Sequence, residues 1–144
     1  MDKLHTLTEL GEWNLKIEID YDILPDGKPS PRSGKIGTGE WQNFRVDSEA
    51  DGFRLHVGKR ISKVNMGDYD PMSWSDGQEF STIDHSEGDV GCARDWGGGW
   101  WFRECYMFCG TCSRELAAKR PIGVWYDGVW EQLSRASMWI RRRR

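Results

Sequence analysis

The feature that most constrains this chain is one short stretch, GCARDWGGGWWFRECYMFCGTC at residues 91–112, which holds all four cysteines. It also holds three consecutive glycines, Gly97–Gly99, followed directly by Trp100 and Trp101. Three explanations compete: a metal site, a redox centre, or a disulfide-stapled loop that shapes a binding surface. They differ in what they require of the cysteine spacing.

The metal and redox explanations both depend on Cys109 and Cys112. A zinc knuckle usually pairs two close couples of ligands, and here Cys92 and Cys105 do not form a second couple. The Cys-x-x-Cys spacing of CGTC lowers thiol pKa values in oxidoreductases, but the preceding residues lack the βαβ pattern that accompanies such a motif. Both stay open as one alternative, an intracellular zinc-binding or thiol-redox protein that uses Cys105, Cys109 and Cys112.

The disulfide explanation accounts best for the composition of the stretch. A bond between Cys92 and Cys105 closes a loop of about 14 residues, worth about 3 kcal/mol in the chain-entropy account. Within that loop, Gly97–Gly99 let the backbone pass closely, and Trp100 and Trp101 are expected to place one ring on each face of a strand. This explanation predicts an oxidising compartment.

Composition and charge narrow the class of protein. The 144 residues suit a single domain, and the 12% aromatic share predicts a core built on large rings, among them Trp100, Trp101, Trp125 and Trp139. A net charge of −3 offers little counterion-release affinity for nucleic acid. We find no apolar stretch long enough to span a membrane and no signal peptide at the N-terminus. The run Arg141–Arg144 is expected to be a solvated, frayed end.

The periodicity of the first half predicts a helix and several strands. DKLHTLTELG predicts a short helix that Asp2 caps, with its leucines on one face and Gly11 as its stop. Alternation over residues 13–20 predicts a half-buried strand. Residues 25–40 predict an exposed connection, and the segments WQNFRV and GFRLHVG two further strands.

The second half is less regular. Residues 65–77 form a long irregular segment of the kind that carries function or is held by other contacts. EFSTID predicts a brief strand, and SMWIR predicts the last strand, with Met138 and Ile140 on one side. Together these elements predict an α+β fold around a mostly antiparallel sheet.

The segment EFSTIDHSEGDVGCARDWGGGWWFREC resembles the signature of fibrinogen C-terminal globular domains, the module of fibrinogen, ficolins, tachylectins, tenascins and angiopoietins. The likeness extends to DKLHTLT, to LHVG…MGD and to GVWYDGVW…SMWIR, so it spans nearly the whole chain. It implies that residues 1–144 form a partial domain of this family, with a central subdomain at about 1–80 and a loop-rich binding subdomain at about 81–144. The family's further N-terminal subdomain has no counterpart here, which suggests a fragment or a shortened relative.

The resemblance implies a secreted, non-enzymatic recognition module without an organic cofactor. Such modules bind acetylated sugars or protein partners, some of them in innate immunity, and they assemble into oligomers through regions outside this chain. The residue types of a catalytic triad do occur in Asp84–His85–Ser86, but neighbours on an extended segment point to opposite faces. We therefore expect no enzyme.

By position, the resemblance implies a ligand pocket lined by Trp96, Glu104, Cys105 and Tyr106. The Glu104–Cys105 peptide bond is commonly cis in the family. Arg120 and Pro121 stand on the far wall, where an arginine favours an anionic group. Tyr106 replaces the usual histidine.

The resemblance also implies a calcium loop with Asp84, Glu87 and Asp89 as ligands. Ser86 stands where the family has a ligand aspartate, and the loop is two residues shorter before Cys92. Three carboxylates on a solvated turn are the alternative. Cys109 and Cys112 depart from the family pattern, and they are expected to pair with each other unless Cys112 finds a different partner.

Overall fold

The computed structural model describes residues 1–21, 31–85, 91–105, 108–112, 123–126 and 129–144. Two short helices and eight strands lie within this part of the chain. In chain order they are α1 (Asp2–Glu9), β1 (Trp13–Tyr21), β2 (Ile36–Trp41), β3 (Arg45–Val46), β4 (Leu55–His56), β5 (Arg60–Val64), α2 (Cys92–Trp96), β6 (Phe108–Cys109), β7 (Gly123–Tyr126) and β8 (Val129–Arg142). A 3-10 turn at Glu49–Asp51 lies between β3 and β4.

Six strands form the main sheet in the order β5-β2-β1-β8-β7-β6, and β3 and β4 form a small second sheet. All strand pairings are antiparallel. The last strand, β8, lies beside the first, so that Trp13 faces Arg142 and Ile17 faces Met138. The α+β class with a mostly antiparallel sheet is therefore confirmed, while the division into subdomains near residue 80 stays a prediction.

The core lies on one side of the main sheet. Leu15, Ile17 and Ile19 of β1 are at most 1% exposed, whereas Lys16 between them is exposed, as the period-2 pattern predicts. Trp41 at the end of β2 is fully buried. A Cβ atom on Gly39 would lie 2.5 Å from the Trp41 ring, so the strand makes room for the indole by omitting a side chain.

The irregular segment 65–77 is held by contacts with this core. The Trp41 indole nitrogen donates a hydrogen bond to Asp70 Oδ1 at 2.8 Å, and the same oxygen accepts from the backbone nitrogen of Met72 at 3.1 Å. Met72 is fully buried. The segment is therefore anchored at its middle, which answers one of the two expectations raised by its length.

Several predicted elements differ from the observed ones. Residues 36–40 were predicted as part of an exposed connection, but they belong to β2. Gly37 and Gly39 are buried on one face of this strand, where Gly39 leaves room for the Trp41 indole. The predicted strand WQNFRV contributes only Trp41 to β2 and Arg45–Val46 to β3. EFSTID forms no strand, and its sheet-like contact is a single bridge between Ser81 and Trp100.

The helix α1 is oriented differently from the prediction. Leu7 and Leu10 are 50% and 66% exposed, whereas Thr8 is 1% exposed. The Thr8 hydroxyl donates to Leu4 O at 2.9 Å and accepts from Val46 N at 3.1 Å, so hydrogen bonding to β3 sets the buried face. Met1 is the N-cap residue, and no side chain caps the helix, contrary to the expected role of Asp2.

The C-terminal strand corrects two expectations. Trp139 is 59% exposed, because its register opposite Lys16 places it on the solvent face of the sheet. The arginine run is partly built into the fold, since Arg142 pairs with Trp13 and the Arg143 backbone nitrogen donates to Glu12 O at 2.8 Å. The side chain of Trp125 lies outside the described part of the structure. None of the helices described is long and apolar enough to cross a bilayer.

Candidate functional site

The candidate site is organised by a disulfide between Cys92 and Cys105, which the structure forms with a Cα–Cα distance of 5.0 Å. Cys92 begins α2, a single turn that sequence periodicity did not reveal. Gly97 ends it in the left-handed region at φ 65°, and its nitrogen donates to Ala93 O at 2.9 Å. The bond therefore fastens the start of α2 to the loop that follows the tryptophans.

The next two glycines allow a close approach of neighbouring chain segments. A Cβ atom on Gly98 would lie 2.5 Å from Thr111 O, and one on Gly99 would lie 2.9 Å from the Phe80 ring. The Thr111 hydroxyl also donates a hydrogen bond to Gly99 O. The close backbone approach predicted for the glycines is observed, and it brings the 92–105 loop against Thr111.

Trp100 and Trp101 follow, and both are buried, at 1% and 3% exposed. The expectation of one ring on each face of a strand was wrong: the two rings touch each other edge-to-face at 5.3 Å. Trp100 also meets Phe108 at 5.3 Å, and the Trp101 indole nitrogen donates to Phe53 O at 2.9 Å. The two indoles therefore pack in the core next to the 92–105 loop and do not form a binding surface.

The remaining cysteines, Cys109 and Cys112, form a second disulfide with a Cα–Cα distance of 5.6 Å. No cysteine is free, so no thiolate is left for a zinc site. Cys109 is fully buried and Cys112 is 2% exposed, which denies attacking thiols the access that redox chemistry requires. The structure therefore does not support the zinc or redox alternative.

The turn that carries Glu104 and Cys105 has an unusual backbone. The Glu104–Cys105 peptide bond is trans, so the expected cis bond was wrong. Instead, Glu104 and Cys105 lie consecutively in the left-handed region, at φ 46° and φ 66°. The Arg103 nitrogen donates to Cys105 O at 3.0 Å, which tightens the turn. Left-handed non-glycine residues are strained and occur often where a fold must present a fixed backbone.

Trp74 makes contacts with this turn that the sequence did not reveal. The Trp74 indole nitrogen donates to Arg103 O at 2.6 Å, and the Arg103 guanidinium lies 4.9 Å above the Trp74 ring. Trp74 comes from the irregular segment 65–77. The length of that segment was the only signal available, because nothing in its composition points to the distant Arg103.

The structure describes three of the residues that were predicted to line a ligand pocket. Trp96 ends α2 and is partly buried, Glu104 is exposed, and Cys105 is partly buried in the disulfide that joins it to α2. These three lie on one disulfide-closed loop, beside Arg103. Tyr106, Arg120 and Pro121 lie outside the described residues, and the assignment of all six residues to a pocket stays a prediction.

The acidic loop is described only at its start. The Thr82 hydroxyl donates to Asp84 Oδ1 at 2.6 Å and, with the backbone, holds the pKa of this exposed carboxyl below its usual value. Thr82 and His85 exchange backbone hydrogen bonds at 2.7 and 3.3 Å, which uses two carbonyls. Glu87 and Asp89 lie outside the described residues. Asp84 alone is far short of the six to eight oxygens of calcium, and within the described part no three acidic, histidine or cysteine groups gather for a metal.

Comparison with known proteins identifies a family and several relatives of this chain. The family described as fibrinogen beta and gamma chains, C-terminal globular domain, matches residues 1–143. Fibrinogen-like protein 1 of Bos taurus is 30% identical over an alignment 153 residues long, which covers 96% of this chain and 46% of that protein. Angiopoietin-related protein 6 of Mus musculus is 26% identical over 130 residues, covering 89% of this chain and 23% of that protein. The chain thus spans less than half the length of these two relatives.

Solved structures show the same fold. The fibrinogen-like globe domain of human ANGPTL6 is 23% identical with a TM-score of 0.69, over 98% of this chain and 61% of that chain. Lamprey fibrin D-dimer, complexed with the peptide ligand Gly-His-Arg-Pro-amide, is 19% identical with a TM-score of 0.66, over 96% of this chain and 48% of that chain. The predicted fibrinogen-like fold is confirmed.

Proposed function

Because the chain belongs to the family of the fibrinogen C-terminal globular domain, we propose that it is a non-enzymatic recognition module that binds its ligand at the turn formed by Arg103, Glu104 and Cys105. Members of this family are extracellular binding modules. The ligand class that the residues favour is an acetylated or anionic glycan. Trp96, Tyr106, Arg120 and Pro121 complete the proposed pocket.

One observation carries this proposal. Glu104 and Cys105 are both held in the left-handed region, on a turn fastened by the Cys92–Cys105 disulfide and by Trp74. Each strained residue costs about 1–3 kcal/mol, a cost that persists only where the surroundings enforce it and that clusters at ligand sites. A turn fixed in advance loses little conformational entropy when a ligand binds.

The charge at the turn favours an oxygen-rich ligand. The Arg103 guanidinium lies over the Trp74 ring, 4.9 Å from its centroid, and a guanidinium offers several N–H donors to a ligand. Acetyl carbonyls, carboxylates and sulfates all accept such bonds. Arg120, predicted on the opposite wall, would add a second cation. Trp96 on the same loop offers an apolar wall to a sugar ring or an acetyl methyl group.

A protein partner is the second candidate. The lamprey fibrin structure contains a bound peptide ligand, so a fold like this one accommodates a peptide. Glu104, which is exposed on the turn, would pair with the basic groups of such a peptide. The negative charge of Glu104 would repel an anionic glycan and attract a basic peptide, so a change of this charge distinguishes the two candidates.

Calcium assistance and secretion are parts of the same proposal. The pKa of Asp84 lies below the ordinary 3.8, and a carboxyl at or below that value is charged at neutral pH, as a calcium ligand must be. Glu87 and Asp89 are the other proposed ligands. The pairing of all four cysteines favours an oxidising compartment, which agrees with a protein that acts outside the cell.

The proposal is tested by titrating the purified chain against acetylated sugars, sulfated or sialylated sugars and basic peptides, each with calcium and with a chelator. Trp96→Ala should weaken glycan binding by about tenfold or more, because it removes the apolar wall. Arg94→Ala, an exposed change on the same helix, is the matched control and should leave affinity unchanged.

Glu104→Gln discriminates the ligand classes. The substitution keeps the side-chain size and removes the charge, so it should strengthen binding of anionic glycans and weaken binding of basic peptides. The proposal fails if the folded chain binds no probe, or if Trp96→Ala and Arg94→Ala behave alike. Affinity that does not change when calcium is chelated would remove the calcium part alone.

A further inference from the structure

A groove of about 340 Å³ lies on the solvent face of the main sheet, on the side opposite the core. Strands β1, β2 and β8 form its floor, and its lining consists of Asn14, Lys16, Glu18, Glu40, Trp139 and Arg141. The strand register brings these residues together, since Lys16 faces Trp139 on one side and Glu40 on the other. All six lie on elements separate from the Arg103–Cys105 turn.

Trp139 gives the groove an apolar platform. Its side chain is 59% exposed, and it stands on the part of β8 that pairs with β1, opposite Lys16. Period-2 alternation directs it to the solvent face, where the neighbours across the strands are polar. A large ring held on a paired strand presents its face to a ligand without the entropy cost of ordering a flexible loop.

Asn14 gives the groove a hydrogen-bond acceptor that has no donor among the described residues. It is 7% exposed, and its Nδ2 atom donates to Glu40 Oε1 at 3.1 Å. Among the described residues nothing donates to its Oδ1 atom, which is buried. The amide orientation is fixed, because reversing it would press the carbonyl oxygen against the Glu40 carboxylate. A buried, unpaired acceptor beside an exposed indole is the kind of group that a ligand donor satisfies.

The charges along the groove are already paired. Lys16 Nζ lies 2.7 Å from Glu18 Oε2, and Arg141 Nη2 lies 2.8 Å from Glu40 Oε1. Two cations and two anions leave no net charge on the lining, so the groove has no preference for a strongly charged ligand. The ammonium and guanidinium groups keep further donors, while the carboxylates keep further acceptors.

We propose that this groove binds a neutral pyranose ring of a glycan. The C–H face of the sugar lies on the Trp139 indole, and one hydroxyl donates to Asn14 Oδ1. Hydroxyl groups both donate and accept, which matches a lining that offers both functions and carries no net charge. An aromatic side chain from a peptide would use the indole but leave the Asn14 acceptor unpaired. The site is additional to the turn at residues 103–105 and does not depend on it.

Indole N–H signals in ¹H–¹⁵N spectra of the intact chain test the proposal. The probes are the neutral methyl glycosides of glucose, galactose, mannose and N-acetylglucosamine. We expect at least one to shift the Trp139 signal saturably with a millimolar dissociation constant. Trp139→Ala, which also assigns the signal, should weaken that binding by about tenfold or more.

Two further variants sharpen the test. Val64→Ala is the matched control, because Val64 is 58% exposed on the same sheet but does not line the groove, and it should not alter affinity. Asn14→Leu removes the acceptor at similar size and should also weaken binding, with its fold checked by the same spectra. The Trp96 signal reports the other site and should not respond to Trp139→Ala.

Three results would overturn the proposal. In the first, no neutral glycoside shifts the Trp139 signal of the folded chain. In the second, a glycoside binds but Trp139→Ala binds it equally well. In the third, sedimentation shows that the chain self-associates and that Trp139→Ala abolishes the association, which would make the groove an interface between two copies.

Discussion

The central strands of the main sheet and the cysteine segment 91–112 are stabilised in different ways. In the sheet, β1 is paired on both sides over most of its length, and its inward residues Leu15, Ile17 and Ile19 are buried. The cysteine segment has one short helix and the two-residue strand β6, and it is held by two disulfides and by edge-to-face rings. One region depends on regular hydrogen bonding, the other on covalent links and large side chains.

The difference suggests a division of roles, in which the sheet provides most of the stability and the cysteine segment provides the recognition surface. A regular sheet buries apolar area efficiently but presents a repetitive surface. An irregular loop presents unusual backbone directions, such as those of Glu104 and Cys105, but it cannot hold them by strand pairing. The Cys92–Cys105 disulfide constrains this backbone in place of strand pairing.

The largest effect is expected in the sheet. Ile17→Ala should lower the free energy of unfolding by about 2–5 kcal/mol, because the side chain is 1% exposed and its removal leaves a cavity in the core. Denaturant unfolding followed by far-UV circular dichroism measures it. Ile61→Ala on β5 is the matched control, since that side chain is 49% exposed and should cost little.

If Ile17→Ala unfolded the cysteine segment while the sheet stayed intact, the assignment of stability to the sheet would be contradicted. Hydrogen exchange resolved by segment provides that check. We expect the protection of β1 and β8 amides to fall together, because these strands share one hydrogen-bond ladder.

A smaller, local effect is expected from the disulfides. Replacing Cys92 and Cys105 by alanine should cost about 3 kcal/mol in the chain-entropy account and abolish ligand binding at the turn, because the disulfide ties Cys105 to the start of α2. The Cys109 and Cys112 pair, with a sequence separation of 3, encloses a much shorter loop, so its removal should cost about 2 kcal/mol.

Thermal unfolding and hydrogen exchange of the two double variants measure these costs. The sheet amides should keep most of their protection in both. Loss of protection across β1 in the Cys92 and Cys105 variant, as large as that caused by Ile17→Ala, would show that the two regions do not differ in the way described.

The smallest effect concerns the acidic loop beside the cysteine segment. Thr82→Val removes the hydroxyl that donates to Asp84, so the pKa of Asp84 should rise toward its ordinary value of 3.8. The folded-state pKa is lowered, so the interaction contributes stability above pH 3.8, and this is lost as the pH falls through the lowered value. Asp84 is exposed, so the change in stability is small.

A carboxylate NMR titration of the wild type and of Thr82→Val measures this pKa directly. Thr82→Ser is the control, since it keeps the hydroxyl and should keep the lowered value. An Asp84 pKa that is the same in all three proteins would remove the proposed hydrogen bond as its cause.

The sequence predicted the sheet better than the loops, and the reason is periodicity. Residues 13–20 alternate strictly, so β1 and its buried face were foreseen. The helix α2 was missed because its single turn is defined by the disulfide at Cys92 and the left-handed Gly97, not by an apolar pattern. Trp139 was placed in the core on residue type alone, whereas its register beside Lys16 decides its exposure.

At the site, the pairing of Cys92 with Cys105 and the close approach at the glycines were expected from the composition of the stretch and from the family signature. The trans bond with two left-handed residues did not, because φ at Glu104 depends on how the disulfide and Trp74 close the turn. Contacts between distant segments, such as Trp74 with Arg103, have no local signal. They can be read only once the fold has brought the segments together.

The position of β8 has a consequence for the time course of folding. Residue 13 pairs with residue 142, so the innermost ladder of the sheet joins the two most widely separated strands of the chain. On the ribosome, β1 can pair with β2 soon after both have emerged, but its other edge has no partner until β8 has been made. Such high contact order predicts slow folding and a nascent chain that needs shielding from aggregation until synthesis has passed residue 142.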